Sequence, residues 1–530
     1  MKTLEVPTLF HDYPVPRTDK SALIDPPLSA AGDLLQRNRQ RSEAGDLSFA
    51  GISFRELRRR ARADVLQAAM HYTSRYRDYS GPADPNKIVM AGHQPQLFHP
   101  GVWFKNFALS KLTQAIGATP INLVVDNDLR GSGSIRVPTR SKGGAIQASA
   151  VAYDDPGLSV PLEQHRIGNR ALFDSFDQRV ASTVAPFVSD PCVFELWGHA
   201  RAAADRCENT GCALASARHA LEGSLGLQTL ELPLSVVCRT PAFAAFLVGL
   251  ISDLPRLHDC YNASVLEYRQ AHGIRSSAHP VPLLGAEDEW LEAPLWMYGD
   301  DQPERRAVWV RAVGGQWEIS DRDQVHVRLD DRPDDPRSAE QLFALQSSNL
   351  KLRPRALITT MYSRLILSDL FLHGIGGGKY DQLGDMIVRH FFGIEPPRFM
   401  VLSATALLPG ATVPGDGAAV RQLRKQLRDT RFNPQRFADR VALPAECLQE
   451  RADLLNRIPP QGHKWTWHRQ LEAVTERLAS RLEPVRQEIR ERLAEVLDAD
   501  RQQQILASRD HPFCLYPLDY LTPVLEQMLD

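Results

Sequence analysis

One segment constrains this chain more than any other: residues 88–111, IVMAGHQPQLFHPGVWFKNFALSK, followed at 121–125 by INLVV. A short apolar run, a tight turn through Gly92, His93, Gln94 and Pro95, an amphipathic run opened by Pro100-Gly101, and a second apolar run spell strand, helix, strand. Parallel strands need such a crossover, so the unit predicts a parallel pair whose carboxyl ends share one edge of a sheet. That edge would bring Asp126 and Asp128, at the end of the second strand, beside the turn carrying His93 and His99. The first N–H groups of a helix lack intrahelical acceptors and sit at the positive end of its dipole, so an anion is expected there. His93 and His99 are read as flanking this crevice, with Gly92, Gln94 and Gly101 lining it.

Elsewhere the chain sets limits. Hydrophobic residues are 43%, charged residues 24% and net charge −2 over 530 residues, a globular composition with no global field to collect nucleic acid or anionic membrane. The longest plain apolar stretch, residues 242–251, is too short to span a bilayer, and no apolar leader follows Lys2. A cytoplasmic chain with neither nucleic-acid nor membrane partners is the expectation. Seven cysteines, an odd number, argue for reduced thiols. Cys207 and Cys212 lack a second closely spaced pair, so no metal site is assigned.

Three regions follow from the pattern. Residues 1–84 read as a helical preface, in which Leu57, Ala61, Val65, Ala69 and Tyr72 keep helical spacing and Arg55, Arg58, Arg59, Arg60 and Arg62 form a solvated face, with anion binding as the alternative. Residues 85–410 read as an α/β core interrupted by a mixed insertion at about 171–335, largely helical to 260, with a hairpin turning at Gly314-Gly315. Within that core an apolar, helix-like run reaches Phe371-Leu372-His373, and a glycine loop with Gly376, Gly377 and Gly378 precedes a helix opened by Lys379. Residues 411–530 read as helical. Leu471, Val474, Leu478, Leu482, Val485, Ile489, Leu493 and Val496 predict a coiled coil or bundle, interrupted at Pro484 and packed on 418–431 or 445–458, with a homodimer through these helices as one outcome.

Taken in order, these segments resemble the bacillithiol synthase family, the cysteine ligases of bacillithiol biosynthesis, as a distant and divergent relative. The family's Gly-Gln-Gln-x-Gly-Leu-Phe-Thr-Gly turn is matched by Gly92-His93-Gln94-Pro95-Gln96-Leu97-Phe98-His99-Pro100-Gly101. Its acidic strand end is matched by Val125-Asp126-Asn127-Asp128, and its Arg-Pro by Arg353-Pro354. Its Gly-Gly-Pro-Gly-Glu turn corresponds to Gly376-Gly377-Gly378-Lys379, and its Pro-Arg and Ser-Ala-Thr to Pro397-Arg398 and Ser403-Ala404-Thr405. The departures are His93 for Gln, Gln96 for Gly, no His at the acidic strand end, and Lys379 for Glu, which inverts a charge. The resemblance implies a Rossmann-like nucleotide-binding core with insertions and a C-terminal coiled coil. It also implies an enzyme that binds a nucleotide or phosphate and joins a small amine such as cysteine to a small acidic acceptor. Phe98-His99-Pro100-Gly101-Val102 is similar to the His-x-Gly-His turn of nucleotidylyltransferases, with only His99 retained.

The assignments that follow place His93, His99, Asp126 and Asp128 in catalysis. Gly92, Gln94, Gly101, Gly376, Gly377, Gly378 and Lys379 hold an anionic metabolite or a nucleotide such as ATP or ADP, with a divalent cation left open at the aspartates. Each has a structural alternative: turn hydrogen bonds for the histidines, caps for the aspartates, close packing for the glycines. The aromatic path from Tyr261 through His272 and His279 to Trp290 and Trp296 is open between a substrate wall and packing. Two other functions stay open, a nucleotidylyltransferase-like enzyme and a non-catalytic binding or assembly protein on the same fold, the latter favoured by the inverted charge at Lys379.

Overall fold

Five near-continuous apolar runs become parallel strands, as expected of strands covered on both faces. They are β2 (Ile88–His93), β3 (Thr119–Val124), β4 (Leu230–Pro233), β5 (Leu370–His373) and β6 (Met400–Thr405), and β1 (Ser21–Asp25) joins them antiparallel along β6. The sheet order is β1-β6-β5-β2-β3-β4, so the chain winds one way from β2 through β3 to β4 and the other way through β5 to β6. The order therefore reverses between β2 and β5. This is an α/β protein. The computed structural model describes residues 10–43, 47–275, 281–329, 335–413, 415, 417–461 and 464–530.

Three features depart from the sequence reading: β4 lies inside the stretch read as a mainly helical insertion, because Leu230–Pro233 pairs parallel with β3 and completes the main sheet. The first 84 residues supply a strand as well as helices α1 (Ala31–Glu43) and α2 (Phe54–Ser74), because Ser21–Asp25 finds the open edge of β6. Phe371-Leu372-His373 is strand, not helix. An apolar run of this length has no periodicity to separate the two, and the helical part ends in a π turn at Ser363–Leu367. Asp369 then fixes the start of β5: its carboxylate accepts from Ile88 N at 3.0 Å and from both arms of Arg62 at 2.9 and 3.0 Å. Arg58 and Arg62, expected on a solvated face, are consequently drawn onto Asp369, Arg62 buried and Arg58 half-buried, while Arg59 and Arg60 pair with Glu56 at the surface.

The helical stretch to Ala271 is followed by a second, antiparallel sheet. It runs His326–Leu329, Gln316–Ser320, Arg306–Val313, Trp290–Tyr298 and Lys351–Pro354, its last strand lying beyond the expected end of the insertion. The hairpin turns where expected: Gly314 and Gly315 adopt φ of 60° and 83°, which a side chain would resist.

The chain divides into two compact units, one of Met1–Thr139, Ser149–Pro409 and Arg509–Asp530 and another of Arg140–Ala148 and Gly410–Ser508. In the second unit Ala418–Phe432 packs on Glu483–Leu506 and Ala445–Asn456 on Lys464–Ser480. The long helix breaks between Ser480 and Glu483, with Pro484 in the first turn of its second part, where a missing N–H costs nothing. Arg509–Asp530, expected with the C-terminal helices, belongs to the first unit.

Candidate functional site

The turn after β2 is built inward. Helix α3 (Pro100–Ile116) starts with Gly101 N donating to Nδ1 of the N-cap His99 at 2.9 Å, while Val102 N reaches His99 O. A Cβ on Gly101 would stand 2.1 Å from Ala404 O, so the glycine is there because the helix start is pressed onto the end of β6. The C-terminal segment closes over the turn: Phe513 stacks on Trp103 at 4.4 Å and its N–H donates to Phe98 O. The first N–H groups of α3 are thus capped locally, and the open crevice expected here is filled by tertiary packing. Burial, with Arg509 and His511 nearby, pushes His99 down to about 3, and burial with Lys105 does the same to His93. Both imidazoles are neutral at pH 7. His93 spends Nδ1–H on Gln94 O at 3.1 Å.

The charge at this edge comes from a residue that sequence reasoning passed over. Lys105 projects from the second turn of α3 to the carboxyl end of β2, where its Nζ donates to Gly92 O at 2.9 Å. The residue is 3% exposed, and no carboxylate among the described residues pairs with it. Burial, reinforced by Arg218, lowers its pKa to about 8. Burial lowers both His93 on β2 and His373 on β5 and the charge of Lys105 adds to each, so the ammonium stands where the strand order reverses. Open α/β sheets take their ligands at such a point. The sequence signal was a lysine on the apolar face of a helix, at i+4 from Gly101.

Beside it, the end of β3 carries the acidic cluster. Asp126 is buried and accepts from Ser235 N at 2.9 Å and from Ser235 Oγ. Burial first, and the neighbouring Glu163 carboxylate second, raise Asp126 to about 7. Glu163 is held by Arg353 at 2.7 and 2.9 Å and by the Tyr298 hydroxyl at 2.5 Å, so the matched Arg-Pro segment supplies the cation beneath this site. Asp128, further out, accepts from Gln94 at 3.0 Å and lies 3.3 Å from Arg305. Trp296 has Arg305 and Arg355 over its ring at 5.0 and 4.0 Å, which puts one end of the aromatic path at this rim. Tyr261 is core, Asn262 bonds the Leu284 backbone, and His279 lies outside the described residues.

The structure does not bring the glycine segment to this cluster as a ligand loop. Gly376, Gly377 and Gly378 form the first turn of α4 (Ile375–Phe392), and a Cβ on Gly378 would stand 2.4 Å from Val401 of β6. Close helix-on-strand packing therefore explains Gly378. Lys379 points away to an ion pair with Asp12 at 2.8 Å, both partners well exposed. His373, at the end of β5, is buried and donates to Asp381, which Arg364 also holds. Beneath the turn, Arg218 bridges the fully buried Glu222 and Glu231, to which Trp103, Asn106 and Asn122 also donate. This network ties α3, through Glu222 and Arg218, to β3 and β4.

Among the described residues no group of three or more His, Cys, Asp or Glu could hold a metal ion, and no helix is long and apolar enough to cross a membrane. Compared with known proteins, the sequence matches no family model and has no significant match among curated proteins.

Proposed function

We propose that the carboxyl-end rim of β2, β3 and β5 is the active site of an enzyme that joins a small amine to a small acidic or phosphate-bearing acceptor. The observation that carries this reading is Lys105, a buried ammonium with no carboxylate partner among the described residues, at the point where the strand order reverses. Burying a charge is costly unless something of opposite sign completes the site. Asp126 complements it: a carboxyl raised to about 7 is poised to take the proton an amine loses as its nitrogen displaces phosphate or nucleotide from an acceptor activated by ATP, the electron pair of the broken bond leaving with that anion, whose charge Lys105 would meet. Gln94, Asp128 and Arg305 stand at the mouth, where they would orient the incoming groups. The resemblance to bacillithiol synthases points the same way, and with it come a Rossmann-like core, ATP or ADP, cysteine as the amine, a cytoplasmic setting and a coiled-coil homodimer. Exposed Ile458, Trp465 and Leu497 support that last part, which light scattering would test.

One observation favours a non-catalytic binding protein instead: both segments expected to cradle phosphate are packed onto β6 through Gly101 and Gly378. Thermal shift with inorganic phosphate, ADP and ATP, followed by mass spectrometry of cysteine mixed with hydroxy acids and ATP, separates the readings. The enzyme reading expects ADP or ATP, too large for a small-dianion site, to raise the melting temperature of wild type but not of Lys105→Met, and an amine adduct that Asp126→Asn does not form. Ligand binding without product supports the binding protein, and identical shifts in both proteins overturn the site.

A further inference from the structure

A second site lies at the other end of the sheet. Asp25 pairs with Val401 near the start of β6 and Arg398 precedes that strand, so the cleft they line opens at the amino end of β6, away from Lys105 and Asp126. Its volume is about 630 Å³, within the range of small-molecule pockets. Two helix faces form its walls. Leu34, Arg37, Asn38 and Arg41 recur at i, i+3, i+4 and i+7 on α1, and Gln382, Asp385 and Arg389 at i, i+3 and i+7 on α4. The floor is the segment leading into β6. Asn38, 1% exposed, rivets α1 to it by donating to Arg398 O at 2.7 Å and accepting from Arg398 N at 2.9 Å.

The charges of this cleft do not cancel. Each of its carboxylates already has a partner: Asp25 accepts from His11 at 2.6 Å, Asp385 lies 2.7 Å from Arg364, and Glu395 lies 3.2 Å from Arg389. Arg37, Arg41 and Arg398 pair with no carboxylate among the described residues, and Arg41 reaches Pro396 O through a long bond of 3.4 Å. Three guanidiniums on two sides of a preformed cleft suit planar, bidentate recognition of carboxylate or phosphate. Tyr13, buried beside Asp25 and Asp385, keeps its hydroxyl proton as a donor at neutral pH. We propose that this cleft binds a small dianion, a dicarboxylate or a phosphate monoester, through Arg37, Arg41 and Arg398, with Tyr13 and Asp25 meeting its hydroxyl or amino group.

Calorimetry with succinate, inorganic phosphate and O-phosphoserine tests this on the full chain. Wild type and Lys105→Met are expected to bind at least one probe alike. The double variant Arg37→Ala/Arg398→Ala should weaken that binding by about ten- to a hundredfold, the effect of losing charge-assisted hydrogen bonds. Both arginines are exposed, so circular dichroism should show an unchanged fold. The single variants Arg37→Gln and Arg398→Gln serve as the second reading, each expected to bind several-fold more weakly. A protein that binds none of the three probes, or a double variant that binds like wild type, overturns the proposal. Loss of binding in Lys105→Met assigns the ligand to the other site and overturns it as well.

Discussion

Replacing Lys105 by Met should make the unliganded protein more stable while abolishing ligand binding at the proposed active site. A lysine whose pKa is about 8 in the fold against an ordinary 10.5 disfavours the folded state by roughly 3 kcal/mol wherever it is charged in both states. Met fills similar volume without the charge. The substitution also removes the hydrogen bond to Gly92 O, worth about 1 kcal/mol, so a net gain of roughly 2 kcal/mol is expected at pH 7. The sign is fixed by linkage. Because the folded pKa lies below the unfolded one, the unfolded chain binds more protons between about pH 8 and 10.5, and wild-type stability rises relative to Lys105→Met across that window. Urea unfolding of both proteins at pH 7 and pH 10 measures the difference, in which other titrations cancel. If Lys105→Met is the less stable protein at pH 7, or the difference does not narrow by pH 10, Lys105 is not an uncompensated charge and the site loses its main support.

Asp126, protonated in the fold up to about pH 7, should give product formation by the wild type a rising limb near that pH, and a pH–rate profile that stays flat there would remove Asp126 as the base at the proposed site. Arg218→Met leaves Glu222 and Glu231 buried without their cation and should cost about 3–5 kcal/mol in urea unfolding. Gly101→Ala drives a Cβ into Ala404 O and should cost about 1–3 kcal/mol or more, a packing loss visible without any ligand. Lys379→Ala should change neither melting temperature nor phosphate binding, since its ion pair with Asp12 is solvated; a clear loss of binding would return this lysine to the site.

Much of the framework was written in local pattern. The apolar runs, the Pro100-Gly101 helix start, the Gly314-Gly315 hairpin and the break at Pro484 each follow from residues next to one another, and the βαβ unit follows from their order. The placement of Asp128 beside the turn after β2 followed from the same reasoning, because parallel strands must end at one edge. What the chain could not announce depends on partners far away in sequence. Phe513 covers the turn 415 residues upstream of it. Ala404 and Val401 turn Gly101 and Gly378 from ligand contacts into packing contacts. Asp369 draws Arg58 and Arg62 out of solvent. Lys105 reads in sequence as one more helical lysine. Only the sheet it lies on, and the absence of a carboxylate partner among the described residues, make it the buried charge at this site. Burial and long-range pairing set the protonation state of each group, and those are properties of the tertiary structure.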